Sequence, residues 1–223
     1  MLQLVNLCKQ YRTTKGVKTV LDDVTASFPP GRNMGILGRN GAGKSTLLQL
    51  IGGAELPTSG KVLRQGRVSW PIGFSGGFHG SLTGRENLRF ICRIYKADIQ
   101  KVTAFVEEFA ELGDYMEMPV NSYSSGMKGK LAFGLSMAID FDYYLIDEVT
   151  AVGDASFQRK SKEEFRRRKD RSTLLVVSHS ANTIREHCDA AAVLEEGRLI
   201  PFDDVGSAIH HYESLMSAPQ RCQ

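Results

Sequence analysis

Short apolar runs bounded by glycine, proline or polar residues recur along the first third of the chain. Runs of this length between turn residues are typical of buried strands. They predict strands at residues 2–5, 19–21, 24–28, 33–37, 62–63 and 68–70. Two further apolar runs, at residues 141–146 and 174–177, predict strands in the second half of the chain.

The segment from Thr83 to Ile139 has the apolar spacing of helices instead. Thr83 and Glu86 have the spacing of a helix-capping box. A helical stripe, which we interpret as core packing and not as a cofactor site, comprises Ile99, Val102, Phe105, Val106, Phe109 and Leu112. Strands that resume after helices predict an α/β core with a helical subdomain inserted at about residues 80–139, within one domain spanning residues 1–223.

A glycine-rich loop follows the predicted strand 33–37 and fits the phosphate-binding pattern G-x-x-x-x-G-K-[ST]. Glycines let successive backbone N–H groups point at one anion, Lys44 adds a cation, and the Ser45 hydroxyl suits Mg²⁺. A glycine-rich turn without a ligand is disfavoured because lysine and serine fall in register with the glycines. The predicted nucleotide-binding residues are Gly38, Arg39, Asn40, Gly41, Ala42, Gly43, Lys44, Ser45 and Thr46.

Two acidic residues end the predicted strand 141–146. The carboxyl ends of strands are where α/β folds bind ligands. Asp147 is therefore a candidate ligand of Mg²⁺, and Glu148 is a candidate general base that polarises the attacking water. A pair of solvated loop acids is the alternative interpretation.

Three further features fit a nucleotide site, each beside a simpler interpretation. Ser124, Ser125 and Gly126 precede a helical pattern and offer hydroxyl and amide donors, although a helix N-cap alone explains them equally well. His179 follows the strand 174–177 and would contact a γ-phosphate if that strand abuts strand 33–37; otherwise its role is structural. Tyr11 is a candidate platform for adenine, or an exposed tyrosine without a function.

Composition and charge exclude several other classes of protein. The net charge of +3 is too small to indicate nucleic-acid binding. Four scattered cysteines, with no C-x-x-C pair, predict neither a zinc site nor a disulfide framework and fit a reduced cytosolic setting. The sequence contains no apolar run of membrane-spanning length and no signal-peptide pattern, so the chain is not expected to cross a membrane alone.

Taken in order along the chain, these motifs resemble those of ABC-type ATPases over nearly the whole sequence. The order is the P-loop, a signature at residues 124–127, the Walker B pair Asp147-Glu148, Asp154 of the D-loop and a histidine switch at His179. The resemblance implies an α/β P-loop NTPase core of ABC ATPase type with an N-terminal antiparallel β region. It also implies ATP and Mg²⁺ as cofactors, with Lys44, Glu148 and His179 as catalytic residues.

The resemblance further implies a head-to-tail homodimer. Each ATP would lie between the P-loop of one chain and Ser124, Ser125, Gly126 and Asp154 of the other. The signature departs from the usual Leu-Ser-Gly-Gly-Gln and reads Tyr-Ser-Ser-Gly-Met, and Val149 stands where many members carry proline.

Three segments, at residues 77–87, 123–127 and 147–154, are similar to the ATPases that power bacterial polysaccharide export, above all the capsular (KpsT-like) type. This resemblance implies an ATPase at the cytoplasmic face of the inner membrane that powers export of a capsular polysaccharide. An integral membrane permease would be its partner and would handle most of the polysaccharide, and no nucleic acid is expected. The chain stops at residue 223 without the C-terminal carbohydrate-binding domain of many O-antigen exporters, which favours the capsule type.

Several alternatives stay open at this stage. An O-antigen or teichoic-acid exporter is the nearest alternative, and a non-transport ABC ATPase, which usually carries large insertions or tandem cassettes, is more distant. A P-loop kinase or GTPase would leave the signature and His179 unexplained, and the guanine-reading Asn-Lys-x-Asp is missing. An interaction module that has lost catalysis conflicts with the intact Lys44, Asp147 and Glu148.

Two segments of the chain do not fit the family pattern directly. Residues 72–84 lack the expected Q-loop glutamine, and Phe74 stands at its place. We expect residues 74–82 to line the groove that receives the membrane partner, so that a bulky substitution at Phe78 uncouples ATP turnover from transport. The basic run at residues 159–171 is interpreted as a solvated helix face, with anionic lipid or acidic glycan as alternative contacts.

Overall fold

The computed structural model describes residues 1–14, 16–72, 77–147, 154–169 and 171–217. Within this part, the chain forms two compact units. The first comprises residues 1–71, 141–147 and 172–217, and the second comprises residues 72–140 and 154–171. The predicted helical subdomain at residues 80–139 falls in the second unit, which also contains residues that follow Asp147 in sequence.

The first unit contains two sheets and three helices. Its strands are β1 (Leu2–Thr13), β2 (Gly16–Phe28), β3 (Met34–Leu37), β4 (Ser59–Arg64), β5 (Val68–Pro71), β6 (Tyr143–Asp147), β7 (Thr173–Ser178), β8 (Ala190–Glu195) and β9 (Arg198–Phe202). Its helices are α1 (Lys44–Gly52), α6 (Ala181–His187) and α7 (Val205–Ser217). Among its described residues, the second unit contains α2 (Gly84–Tyr95), α3 (Ile99–Ala110), α4 (Ser125–Ala138), α5 (Ala155–Lys169) and the short 3₁₀ helices Gly113–Glu117 and Val120–Ser122.

The N-terminal strands form an antiparallel sheet in the order β2-β1-β4, as the resemblance implied. Both β1 and β2 are longer than the apolar runs that predicted them, and β2 joins the predicted strands 19–21 and 24–28 into one. Their additional residues are mostly exposed, and they stay in the sheet through backbone pairing from Gln10↔Thr19 to Thr13↔Gly16. Hydrophobic pattern alone cannot detect such solvated extensions.

The second sheet has the order β5-β6-β7-β3-β8-β9, and every pairing in it is parallel except that of β9 with β8. All residues of β3 and β7 are buried, which is typical of parallel strands covered on both faces. The strand β3 therefore lies between β7 and β8, with its carboxyl end at the same edge as theirs. This topology confirms the α/β fold class predicted from the sequence.

The helices of the second unit follow the predicted pattern closely. The capping box at the start of α2 is present: Thr83 Oγ1 accepts from the Glu86 N–H at 3.1 Å, and Glu86 Oε2 accepts from the Thr83 N–H at 2.9 Å. Of the predicted stripe, Val102, Val106, Phe109 and Leu112 are buried, whereas Ile99 and Phe105 are half-buried. Phe109 stacks on Phe133 at a centroid distance of 5.8 Å, so the stripe is core packing.

The basic run lies mainly on α5. Arg159, Lys162 and Arg166 are exposed along one side of this helix. Other cations of the run are paired: Lys160 lies 2.9 Å from Glu111, and Arg168 contacts Glu164 at 3.3 Å and also Asp140. The run therefore combines a solvated helix face with ion pairs that tie the helix to its own unit.

Gly134 offers a test of packing in the second unit. A Cβ at this position in α4 would meet Phe109 Cδ1 at 3.5 Å, Ala110 Cβ at 3.7 Å and Val106 Cγ1 at 3.8 Å, all ordinary contacts. We expect Gly134→Ala to raise the free energy of unfolding by about 0.5–1 kcal/mol, because alanine restricts the unfolded chain and favours helix. Urea denaturation checks this value, and a less stable variant would contradict the packing described here.

Candidate active site

The glycine-rich loop connects β3 to α1, and its backbone conformation explains its glycines. Gly41 and Gly43 have φ angles of 82° and 102°, in the left-handed region that side chains disfavour. A Cβ on Gly38 would lie only 2.8 Å from the carbonyl oxygen of Leu194 in β8. The loop is closed by a hydrogen bond of 3.1 Å from the Ala42 N–H to the Arg39 carbonyl. Strand, loop and helix thus adopt the arrangement that the motif requires.

Lys44 lies over this loop and is nearly buried, with 9% of its surface exposed. Its Nζ donates to the carbonyls of Gly38 at 2.7 Å and Arg39 at 3.0 Å. Burial lowers the pKa of Lys44, and the negative charge of Asp147 partly opposes that shift. The ammonium group is therefore held at the loop, within electrostatic range of the acid predicted to bind metal.

Sheet register brings two predicted site residues and the glycine-rich loop to one edge. Asp147 is the last residue of β6 and pairs with Val177 of β7. Leu37, just before the loop, pairs with Ser178, so β7 directly abuts β3, as the contact predicted for His179 requires. His179 is exposed at this edge, and its carbonyl accepts a hydrogen bond of 3.4 Å from the Tyr212 hydroxyl of α7. Asp147, His179 and the loop thus share the carboxyl edge of the sheet.

The oxygen donors at this edge suit a magnesium ion. Ser45 is exposed in the first turn of α1, and Asp147 ends β6 half-buried. Hydroxyl and carboxylate oxygens are the ligands that Mg²⁺ prefers, usually completed by phosphate oxygens and water. The loop cation beside them, Lys44, fits a ligand that carries several negative charges. The residues present therefore fit a magnesium–triphosphate ligand.

Tyr11 belongs to a polar cluster beside the loop. Its hydroxyl donates to both carboxylate oxygens of Glu55, at 2.9 and 2.8 Å. Lys9 Nζ lies 2.8 Å from Glu55 Oε1 and 5.0 Å from the centroid of the Tyr11 ring. Sequence reasoning identified Tyr11 but missed Lys9 and Glu55. The only local signal for Lys9 was its position two residues before Tyr11, which places both side chains on the same face of β1.

The signature residues lie at the start of α4 in the second unit. Ser124 is the N-cap of this helix, and its hydroxyl accepts from the Met127 N–H at 3.2 Å. Ser124 and Ser125 are exposed, whereas Gly126 is half-buried. Tyr123 is 4% exposed, and its hydroxyl donates to the carbonyl of Tyr115. The tyrosine that departs from the family pattern is thus a buried anchor for the exposed serines.

Asp154 occupies the N-cap position of α5, also in the second unit. It accepts from the N–H groups of Phe157 at 2.9 Å and Ser156 at 3.0 Å, and from Lys130 Nζ at 3.2 Å. The Phe157 N–H and the Lys130 ammonium, in that order, lower the pKa of this carboxyl. Lys130 therefore joins the signature helix to Asp154, a link that the sequence analysis did not identify.

The predicted site residues fall into two sets, one in each unit. Residues 38–46, with Tyr11, Asp147 and His179, lie in the first unit, and Ser124, Ser125, Gly126 and Asp154 lie in the second. Glu148, Phe74 and residues 149–153 lie outside the described part of the chain.

The Glu55 cluster gives a testable pH dependence. Burial raises the pKa of Glu55, but hydrogen bonds from Lys9 and Tyr11 outweigh it and leave the pKa below the ordinary value of 4.5. The carboxylate therefore stabilises the fold above about pH 4.5, and this contribution is lost as the pH falls through the lowered pKa. We expect Glu55→Gln to destabilise the protein at pH 7 and to have little effect near pH 3, as measured by urea denaturation. Equal effects at both pH values would contradict this role of the charge.

Comparison with known proteins gives consistent matches. Residues 21–151 match the sequence profile of the family described as ABC transporter. The chain is 55% identical to the capsule polysaccharide export ATP-binding protein CtrD of Neisseria meningitidis, covering 96% of this chain and 100% of that one. It is 49% identical to the polysialic acid transport ATP-binding protein KpsT of Escherichia coli, covering 96% of each. It is 39% identical to the teichoic acids export ATP-binding protein TagH of Staphylococcus haemolyticus, covering 88% and 75% respectively.

Solved structures confirm the fold. A dimeric post-hydrolysis state of the ATP-binding cassette MJ0796, bound to ADP and Pi, is 22% identical, with a TM-score of 0.72. That match covers 89% of this chain and 96% of the other. Among the described residues, no helix has both the length and the apolar character needed to span a membrane.

Proposed function

Because the chain belongs to the ABC transporter family and is a P-loop ATPase of that family, we propose that it powers export of a capsular polysaccharide across the inner membrane. The main support for this proposal is the sequence identity of 55% and 49% with the CtrD and KpsT proteins over 96% of this chain. An integral membrane permease would form the path for the glycan, and this chain would sit at the cytoplasmic face as its peripheral subunit.

Within the proposed site, each element of the first unit has a distinct task. Backbone N–H groups of residues 38–46 cradle the phosphates of ATP, supported by the positive end of α1. Lys44 neutralises charge on the β- and γ-phosphates. Tyr11 stacks on the adenine, and His179 contacts the γ-phosphate from β7, next to the loop strand. The shared sheet edge supports this assignment.

Ser45 and Asp147 are the residues that would hold Mg²⁺. When bound, the ion supplies charge neutralisation on the phosphate oxygens during transfer. Glu148 follows Asp147 directly, and we assign it as the general base that takes a proton from the attacking water. Its place one residue beyond the end of β6 in sequence supports this role.

We further assign the second-unit residues to a neighbouring copy's nucleotide. Ser124, Ser125, Gly126 and Asp154 would meet the γ-phosphate bound at the P-loop of the partner chain in a head-to-tail homodimer. The exposure of Ser124 and Ser125 supports this assignment, because exposed hydroxyls are accessible to a second surface. Hydrolysis removes the bridging phosphate, so the dimer loosens and the permease is driven to change conformation.

The permease would dock on the second unit. On α2, Phe90 and Ile94 are 55% and 57% exposed and lie one helical turn apart, beside the exposed Arg89 and Arg93. Two large apolar side chains on one open face are typical of a protein contact. The half-buried Phe78 lies in the segment before this helix, and its proposed role in coupling ATP turnover to transport stays a prediction.

A teichoic-acid exporter is the second candidate, because the TagH protein is 39% identical. Deletion of the chain's gene in its own host distinguishes the two functions. If the chain serves capsule export, deletion removes the surface capsule and leaves undelivered polysaccharide inside the cell, and a Lys44→Ala copy does not restore export. Loss of wall teichoic acid with a normal capsule would favour the second candidate. Normal levels of both would contradict either function.

A further inference from the structure

Glu55 lies outside every motif of the nucleotide site, yet it holds the side chain predicted to bind the base. The Tyr11 hydroxyl donates to Glu55 Oε2 at 2.8 Å and to Oε1 at 2.9 Å. Lys9 Nζ lies 2.8 Å from Glu55 Oε1 and also donates to the Leu56 carbonyl at 2.8 Å. The side chains of Lys9 and Glu55 are only 13% and 25% exposed. The contact is therefore a partly desolvated cluster, not a mobile surface pair.

Glu55 is itself anchored to the phosphate-binding helix through its backbone. The backbone N–H of Glu55 donates to the carbonyl of Gln49, in the last turns of the same helix, at 3.3 Å. The carboxylate that holds the Tyr11 hydroxyl thus belongs to a residue bonded to the helix that follows the phosphate-binding loop.

We propose that Glu55 and Lys9 are positioning residues that fix the Tyr11 ring as the platform for adenine. This inference rests on the proposed role of Tyr11 in nucleotide binding. A tyrosine side chain rotates about two torsions. The contact of the hydroxyl with Glu55 restricts the first torsion, and the ammonium of Lys9 over the ring restricts the second, before ATP arrives. Stacking then costs less ordering entropy, so base affinity rises without any direct contact between Glu55 and the nucleotide.

Lys9 also determines which face of the ring the base uses. Its ammonium lies 5.0 Å from the ring centroid, within the range of a cation–π contact. With one face of the ring occupied in this way, adenine stacks on the opposite face. The position of the base relative to the phosphates is therefore set by two charged residues that never touch it.

Loss of Glu55 should weaken the binding of the base and leave the binding of the phosphates unchanged. Titration calorimetry of the full chain with Mg²⁺-ATP and with Mg²⁺-tripolyphosphate separates the two. We expect Glu55→Ala to weaken ATP binding about fivefold and to leave tripolyphosphate affinity unchanged, since stacking alone is impaired. Tyr11→Phe, which keeps the ring and loses the hydroxyl, should show the same selective loss. Glu213→Ala, an exposed glutamate of α7, is the matched control and should bind both ligands normally.

A double-mutant cycle completes the test. Tyr11→Ala should weaken ATP binding about tenfold or more, and adding Glu55→Ala to it should have no further effect, because the residue acts only through the ring. If Glu55→Ala weakens both ligands equally, or if its effect persists without the ring, the positioning role is overturned while the platform role stands. If Tyr11→Ala binds ATP like the wild type, both roles are overturned, although tripolyphosphate binding still reports on the P-loop.

Discussion

Glu148→Gln is expected to bind ATP with nearly unchanged affinity while hydrolysing it about 10²–10⁴-fold more slowly. Glutamine keeps the shape of glutamate but cannot accept the proton of the attacking water. The residues assigned to ATP binding, including Lys44 and Asp147, are unchanged in this variant. Phosphate release under saturating ATP measures the loss, and calorimetry measures the affinity.

The same variant should accumulate as a dimer when ATP is added. In the proposed dimer, the γ-phosphate would join the P-loop of one chain to the signature serines of the other, and slow hydrolysis would keep that bridge in place. Size-exclusion chromatography with and without ATP reports the dimer, and Glu213→Gln on the exposed side of α7 is the matched control. Hydrolysis by Glu148→Gln at the wild-type rate would refute the assignment of this residue as the base.

The parts of the site that sequence predicted are those encoded within a few consecutive residues. The loop at residues 38–46 and the acid pair after β6 are recognisable because spacing and residue type alone define them. Contacts between distant segments carry no such signal. The bond from Tyr11 to Glu55 spans 44 positions and that from Tyr212 to His179 spans 33, and only folding brings these residues together.

The strands of the fold can likewise be divided into those that the sequence predicted and those that it did not. Strands β3, β6 and β7 were predicted because they are short, apolar and fully or almost fully buried. Strand β8 was missed because three of its six residues are alanines, which have a weak preference for strands. The alanines are held in the sheet by their pairing with β3, where Ala190, Ala191 and Ala192 lie opposite Met34, Gly35 and Ile36. That pairing is tertiary and cannot be recognised in the sequence of β8 alone.

The largest structural penalty in the loop is expected at Gly43. Its φ of 102° is unfavourable for any residue with a side chain, and a Cβ would lie 2.6 Å from Val20 Cγ1 and 3.2 Å from the Val20 carbonyl oxygen. Because the carbonyl belongs to the sheet, the loop must move instead. Strain of this kind costs about 1–3 kcal/mol, and displaced N–H groups no longer converge on the phosphates. We therefore expect Gly43→Ala to weaken ATP binding about 10- to 100-fold.

Gly41 provides the matched control within the same loop. Its φ of 82° is similarly left-handed, but a Cβ there would have nothing within 4 Å. Gly41→Ala therefore carries the backbone strain without the collision, and we expect its affinity for ATP to lie between those of the wild type and Gly43→Ala. Calorimetry with Mg²⁺-ATP measures the affinities, and urea denaturation measures the stabilities. Equal losses in the two variants would show that the left-handed backbone, and not the approach of Val20, is what reserves position 43 for glycine.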